Sequence, residues 1–414
     1  MPETGQLLEV SIIDIAFGGS GVAKLESGAV VFVPYSAIGD KLEIKITECK
    51  KNFFRGEIQQ IIVPSPDRIE PKCCHFGRCG GCVYQHLDYK AELKSKQMQL
   101  QSCLKRVGGI QDLPEFDMVV ASPLEYGYRN KLRLEPHKPI LETDGVHLSY
   151  GYCLRDNNTY FTVKECPLAV DVLNKHLASA IHSPWGKQNA KHKPPMPVTL
   201  RADAQNNSHF YFGRAPISVT WLKEEIHGKE VSVPLGSFWQ VNHAVAESLL
   251  KVVAHWVKPL GMETLIDAYS GVGTFSLAMP TGFVERILIE SDRQAGEAAK
   301  LNHANFQLGC QVIPQRTESV LPNITKQHDM KSTLVVIDPP RSGCQPKVIE
   351  TLAIRKPAYI LYVSCNPATL ARDLKKLMLK DGYEISKIGL FDMFPRTAHF
   401  ESAVLLSRVE KAKS

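Results

Sequence analysis

Long apolar runs are missing from these 414 residues. The longest, such as Thr333–Ile337, fall far short of the ~18–20 residues that cross a bilayer. The amino end, MPETGQLLEV, lacks the basic stretch followed by an apolar core of a secretory signal, so a cytoplasmic protein without membrane contact is expected. Heptads, low-complexity tracts and glycine periodicity are also missing. With 44% hydrophobic and 22% charged residues, disordered, fibrous and coiled-coil classes are excluded. Charge of one sign is scarce too: 49 Lys and Arg face 43 Asp and Glu, a net +6 that permits a polyanionic partner without demanding one. A complete disulfide framework is excluded by an odd count of 11 cysteines in a chain of this length, which favours metal-binding or catalytic thiols.

Those thiols are unevenly spread. In EPKCCHFGRCGGCVYQH, Cys73, Cys79 and Cys82 stand at C-x5-C-x2-C, with Gly77, Gly80 and Gly81 letting the backbone fold tightly. Cys166 in KECPL is the candidate fourth ligand, and four cysteines suit zinc or an iron–sulfur cluster. The C-x3-C-x2-C spacing of a radical enzyme is absent, so any cluster would support structure or RNA contact. Cys74, adjacent to Cys73, breaks the x5 spacing, and Cys73 is taken as the ligand.

At ~150 residues per domain, about three are expected. Residues 1–66 alternate apolar and polar positions in short runs broken by glycine turns, which predicts a small β-barrel. One connection, CKKNFFRG, sets Phe53 and Phe54 among Lys50, Lys51 and Arg55, a combination able to stack on bases and neutralise phosphates. Residues 67–235 hold the cysteine loop, a helix from Tyr89 to Val107 and strand-like pieces, and read as a mixed central domain. Its basic, proline-rich stretch SPWGKQNAKHKPPMP (Ser183–Pro197) reads as a surface loop. From 236 to 414 strands alternate with helices, the pattern of a parallel α/β sheet.

The first of these strands runs into Asp267-Ala-Tyr-Ser-Gly-Val-Gly273-Thr274, and the second ends at Glu290. Glycines there let the backbone approach a ligand, and the acid can accept from both ribose hydroxyls. A dinucleotide fingerprint would need a third glycine where Ser276 stands, so the turn better suits S-adenosylmethionine, which has no pyrophosphate. Asp338, in Asp-Pro-Pro-Arg341, ends the fourth strand at the ligand-binding edge. Cys365, in Ser-Cys-Asn-Pro367, ends the fifth at a helix amino end, where partial positive charge is expected to lower its pKa; it is the candidate nucleophile. Glu401 opens the last strand, where burying a carboxylate is costly unless it works or is paired; it is the candidate base, with His399 orienting.

Over essentially its full length the chain resembles the RNA (uracil-5-)-methyltransferases. The pieces that match are the N-terminal barrel (similar to a TRAM domain), the four cysteines, Phe238-Trp-Gln240-Val-Asn242, Asp267–Phe275, Glu290, Asp338–Arg341, Ser364–Pro367 and Thr397-Ala-His399-Phe-Glu401. The resemblance implies a Rossmann-like methyltransferase domain, a TRAM/OB-like barrel, and a central domain carrying a [4Fe–4S] cluster on Cys73, Cys79, Cys82 and Cys166. It also implies S-adenosylmethionine contacts from Gln240, Tyr269, Thr274, Glu290 and Asp338. The expected activity is methylation of carbon-5 of a uridine through a covalent Cys365 adduct, with Glu401 removing the carbon-5 proton. A monomer is expected. The barrel and cysteine cluster together point to 23S ribosomal RNA, with the T-loop uridine of transfer RNA as the alternative substrate. A cytosine-5 methyltransferase fits SCNP and THFE-like endings poorly. A nonenzymatic RNA-binding iron–sulfur protein would have no use for Cys365 and Glu401 together.

Overall fold

The computed structural model describes residues 2–142, 145–155, 159–217, 220–379 and 382–409; the last five residues of the 236–414 segment lie outside them. The amino-terminal segment forms six strands in the order Leu7–Ser11, Lys41–Cys49, Phe53–Val63, Val30–Pro34, Ser20–Lys24 and Asp14–Ile15. Alternation is clean: Leu42, Ile44 and Ile46 of Lys41–Cys49 point inward with Val31, Val33 and Phe54, so a period of two builds one small core. Of the aromatic pair, Phe54 belongs to that core. Phe53 is half-buried, edge-on to Phe32, with the Arg55 guanidinium 5.8 Å from its ring. Lys50 and Arg55 both pair with Glu48, so the charges beside Phe53 are partly neutralised.

In the middle of the chain five antiparallel strands run Tyr160–Thr162, Gly145–Cys153, Lys131–Glu142, Val198–Ala202 and Ser208–Phe212. Helix Asp171–His182 covers this sheet with Leu173, Leu177 and Ala180. A separate hairpin, Trp221–Ile226 with Lys229–Pro234, buries Leu222, Val231 and Val233 in a core shared with helix His243–Val257.

Eight strands make the largest sheet, in the order Gln311–Ile313, Glu285–Ile289, Thr264–Ala268, Thr333–Ile337, Tyr359–Ser364, Glu401–Arg408, Tyr383–Phe391 and Met118–Val120. The first five are parallel, and all but the edge strand Gln311–Ile313 are buried on both faces, which is why they read as near-continuous apolar runs such as TLVVI. Helices His243–Val257, Thr274–Ala278 and Arg293–Asn305 cover one face; Tyr89–Arg106, Thr317–Gln327, Pro346–Arg355 and Pro367–Leu377 cover the other. Helix Tyr89–Arg106 and strand Met118–Val120, from before residue 236, therefore pack onto this sheet. No described helix is long and apolar enough to cross a membrane.

Candidate active site

The carboxyl ends of parallel strands share one edge, and the topology brings the chemistry there. Thr264–Ala268 leads into Tyr269 (φ 65°), Gly271 (φ 55°) and Gly273 (φ 87°), after which helix Thr274–Ala278 begins. A Cβ at Gly273 would lie 2.6 Å from His303 Cε1, so both the backbone angle and the space require glycine. His303 Nδ1 donates to the Ala299 carbonyl (2.8 Å), which leaves Nε2 to accept from the Ser276 hydroxyl at 2.9 Å. Ser276, standing where a dinucleotide motif has glycine, thus ties the turn to helix Arg293–Asn305. Gly273→Ala should cost about 1–2 kcal/mol from the left-handed backbone alone. In thermal unfolding it should lower the Tm and reduce the stabilisation given by S-adenosylmethionine; an unchanged ligand shift would show that the turn does not touch the donor.

Glu290 follows the neighbouring strand. Its Oε2 accepts from Gly271 N–H at 2.9 Å and its Oε1 from Asp292 N–H at 2.7 Å, which aims the carboxylate across the turn. Tyr269 and Glu290 line a cavity of about 330 Å³ with Gln315, Arg316, Glu318 and Pro340. That volume suits a nucleoside-sized ligand. Four polar atoms of this edge, Asp267 Oδ1, the Tyr269 and Ser270 hydroxyls and Glu401 Oε2, are buried without a hydrogen-bond partner among the described residues. Such orphans are rare unless something else satisfies them.

Asp338, Cys365 and Glu401 meet beside that turn. Ser364 lies opposite Ser402 in the antiparallel ladder, and the Ser402 hydroxyl donates to the Ser364 carbonyl at 3.0 Å. Cys365 and Glu401 therefore leave adjacent strands at the same level. Burial, together with Glu401 and Asp338, pushes the Cys365 thiol up to about 12, with Arg341 opposing. This corrects the sequence expectation. The Asn366-capped helix end is present, Asn366 Oδ1 accepting from Ala368 N–H at 3.0 Å, but its partial charge is outweighed by desolvation and two facing carboxylates. Burial lifts Asp338 to about 7, and burial with Asp338 nearby holds Glu401 far above the usual carboxylate range. Asp267 rises to about 8 for the same reasons. Burial and the Arg341, Lys96 and Arg129 charges press His399 down to about 4, so its imidazole is neutral.

Gln240 and Thr274 do not line the Tyr269–Glu290 cavity. Gln240 is buried, its carbonyl accepts from Asn130 Nδ2 at 3.0 Å, and its Oε1 has no partner among the described residues. Thr274 heads its helix. Asn242 caps helix His243–Val257 and reaches the Ser122 hydroxyl at 3.0 Å, anchoring the strap that carries Gln240.

Charged residues absent from the sequence reading hold the loop that delivers Glu401. Lys96 Nζ donates to Glu92 (2.7 Å), Asp392 (2.7 Å) and the Phe394 carbonyl (3.2 Å) with its side chain fully buried. Arg396, 1% exposed at φ 68°, donates from its backbone to Glu92 (2.7 Å) and from its guanidinium to the Leu87 carbonyl (2.6 Å) and to Glu125. The Arg396 carbonyl accepts from Val83 N–H (2.9 Å) and Tyr84 N–H (3.2 Å), the residues just after Cys82. The only hint in the sequence is Glu92 and Lys96 at i,i+4, a spacing that ordinarily means an exposed pair.

Away from this edge, Cys73, Cys79, Cys82 and Cys166 line a second, small cavity of about 30 Å³. Cys74 is exposed and does not line it. Burial pushes Cys82 to about 12 and raises Cys73 and Cys79, and Cys166 raises all three further. All eleven cysteines are free thiols. Among the described residues, no group of three or more Cys, His, Asp or Glu is arranged to hold a metal ion.

Known proteins place this geometry. A profile of the tRNA (uracil-5-)-methyltransferases matches residues 223–409, and one of the TRAM domain matches residues 3–58. An uncharacterized RNA methyltransferase of Nostoc sp. is 31% identical over 467 residues, covering 99% of this chain and 98% of the relative. The chain belongs to the RNA (uracil-5-)-methyltransferase family. An uncharacterized RNA methyltransferase of Synechocystis sp. is 29% identical, covering 98% of this chain and 97% of its own length. Among solved structures, the Pyrococcus abyssi tRNA (uracil-54, C5)-methyltransferase in complex with S-adenosyl-L-homocysteine superposes with a TM-score of 0.68 at 24% identity, over 96% of this chain and all of that one, a likeness of fold. As an RNA (uracil-5-)-methyltransferase the chain is an enzyme.

Proposed function

We propose that this enzyme methylates carbon-5 of one uridine in 23S ribosomal RNA, through a covalent adduct between Cys365 and the base. The observation that carries the reading is the meeting of Cys365, Asp338 and Glu401 at one strand edge beside the Tyr269–Glu290 cavity. S-adenosylmethionine supplies a methyl group on a cationic sulfonium. Glu290 faces the turn where ribose hydroxyls would lie. Gln240, Tyr269 and Thr274 are assigned to the same ligand.

Carbon-5 of uracil is a weak nucleophile. Cys365 loses its proton to solvent as its sulfur adds to carbon-6, and the electron pair of the carbon-5–carbon-6 double bond moves to make an enolate. Carbon-5 then takes the methyl group as the methyl–sulfonium bond breaks, leaving S-adenosylhomocysteine. Glu401, as the carboxylate, removes the hydrogen left on carbon-5, the double bond re-forms and the Cys365 thiolate departs and regains a proton, while Glu401 gives its own to solvent. One proton is released overall. Asp338 is assigned to bonding the base, and His399, neutral, to orienting. A paired uridine has to leave its stack to reach Cys365. Residues 1–66 and 67–235 are assigned to holding the opened strand for the catalytic domain, 236–414.

Cys73, Cys79, Cys82 and Cys166 are the proposed ligands of a [4Fe–4S] cluster, since the four thiols line one cavity and four cysteines are the ligand set such a cluster takes. Such a cluster would cross-link the Cys73–Cys82 loop to the Cys166 segment. After reconstitution with iron and sulfide, about four iron atoms per chain and broad visible absorbance are expected, with both lost in Cys82→Ser. Zinc at one atom per chain, or equal metal in the variant, would contradict the assignment.

The substrate is tested by offering unmodified 23S ribosomal RNA and unmodified transfer RNA side by side with methyl-labelled donor. Label recovered as 5-methyluridine in the ribosomal RNA is expected. Label confined to transfer RNA would keep the chemistry and overturn the substrate.

A further inference from the structure

A second site lies outside the methyl-transfer edge. The Ser183–Pro197 segment, read from sequence as a surface loop, forms helix Pro184–Asn189 and, with strand Ser208–Phe212, encloses a cavity of about 650 Å³. This is larger than the 330 Å³ cavity at Tyr269 and Glu290, and no carboxylate lines it. The segment carries Lys187, Lys191, His192 and Lys193 and contains no Asp or Glu; of these four, His192 lines the cavity.

The lining is two-natured. Phe210 and Phe212, edge-to-face at 6.0 Å, form an aromatic wall. At the rim stand Trp185, 67% exposed, and Arg214, His192 and Gln188, whose side chains make no hydrogen bond or ion pair among the described residues. Leaving an indole in water costs apolar burial, and leaving a guanidinium without a partner forgoes its strongest interactions. An exposed π-face beside an uncommitted cation is the pairing that takes a base and its phosphate. The cavity also adjoins the active-site strap: Leu235 lines it, and Arg201 Nη1 holds the carbonyls of both Leu235 (2.9 Å) and Ser237 (2.7 Å) just ahead of Phe238-Trp239-Gln240.

We propose that this cavity binds an unstacked nucleotide of the RNA substrate, separate from the uridine that is methylated, with Trp185 stacking on the base and Arg214 taking the phosphate. The proposal rests on the reading that the substrate is RNA. A polyanionic single strand is favoured over a protein segment because the lining pairs aromatic faces with the Arg214 guanidinium and none of its residues is an acid.

Both side chains stand at the rim, so substitution should leave the fold intact. In the full-length protein, affinity for unmodified RNA should fall roughly 5- to 100-fold in Trp185→Ala and recover in Trp185→Phe. In Arg214→Ala the slope of log affinity against log salt should shrink by about one. Affinity for S-adenosylmethionine should not change in either variant, since neither residue lines the Tyr269–Glu290 cavity. RNA binding at wild-type strength in both alanine variants would overturn the proposal, as would a Trp185-dependent site for uridine monophosphate that leaves RNA affinity untouched. Failure of the wild-type enzyme to methylate any RNA would strike the functional reading instead, so the two failures are separable.

Discussion

Cys365→Ala is expected to bind S-adenosylmethionine as the wild type does and to lose methyl transfer by roughly 10³-fold or more, since no other group nearby can add to carbon-6. Donor binding should survive because Cys365 does not line the Tyr269–Glu290 cavity. Calorimetry of donor binding beside a single-turnover assay reads both quantities. The resting thiol adds a detail. With its pKa near 12, Cys365 is protonated at neutral pH, and Arg341 is the one cation opposing the carboxylates around it. Activity preserved in Cys365→Ala would sink the covalent scheme.

Glu401→Gln is expected to stop the reaction one step later. The amide is isosteric and neutral, and burial with Asp338 nearby already disfavours a charge at this position, so the variant should fold. Addition of Cys365 and methylation of carbon-5 need no base at position 401; removal of the carbon-5 hydrogen does. RNA should remain attached to the protein as a denaturant-resistant complex that carries the transferred methyl group. Free, fully methylated RNA from this variant would assign the proton to another group, and neutral His399 is the alternative in reach of the same loop.

Much of this edge was legible because it is local. Gly271 and Gly273 announce a turn with left-handed backbone, Glu290 ends the next strand, and Asn366-Pro367 caps a helix directly behind Cys365. What failed was the thiol's electrostatics. A helix end is written in five consecutive residues, whereas the Asp338 and Glu401 carboxylates that reverse its effect arrive from two other strands. The same reason hid strand Met118–Val120: three residues long, it pairs with Gly389–Phe391, far away in the chain, and carries no periodicity of its own. Lys96 and Arg396 were invisible because charged residues are expected outside, and only the carboxylates of Glu92, Asp392 and Glu125 make their burial tolerable. The Ser183–Pro197 stretch misled by composition: prolines and lysines read as solvent-facing loop, while the cavity it encloses depends on Phe210 and Phe212 from a strand beyond it.

Loss of the carbon-5 hydrogen is the measurement that tests the central claim most directly. RNA labelled with tritium at carbon-5 of its uridines would be incubated with the enzyme and methyl-labelled S-adenosylmethionine, and tritium in water counted against methyl groups in RNA. Attack by Cys365 and removal of the proton by Glu401 predict one tritium released for each methyl transferred, with neither signal in Cys365→Ala. Methyl incorporation without tritium release would place the methyl on another atom and contradict the mechanism built on Cys365 and Glu401.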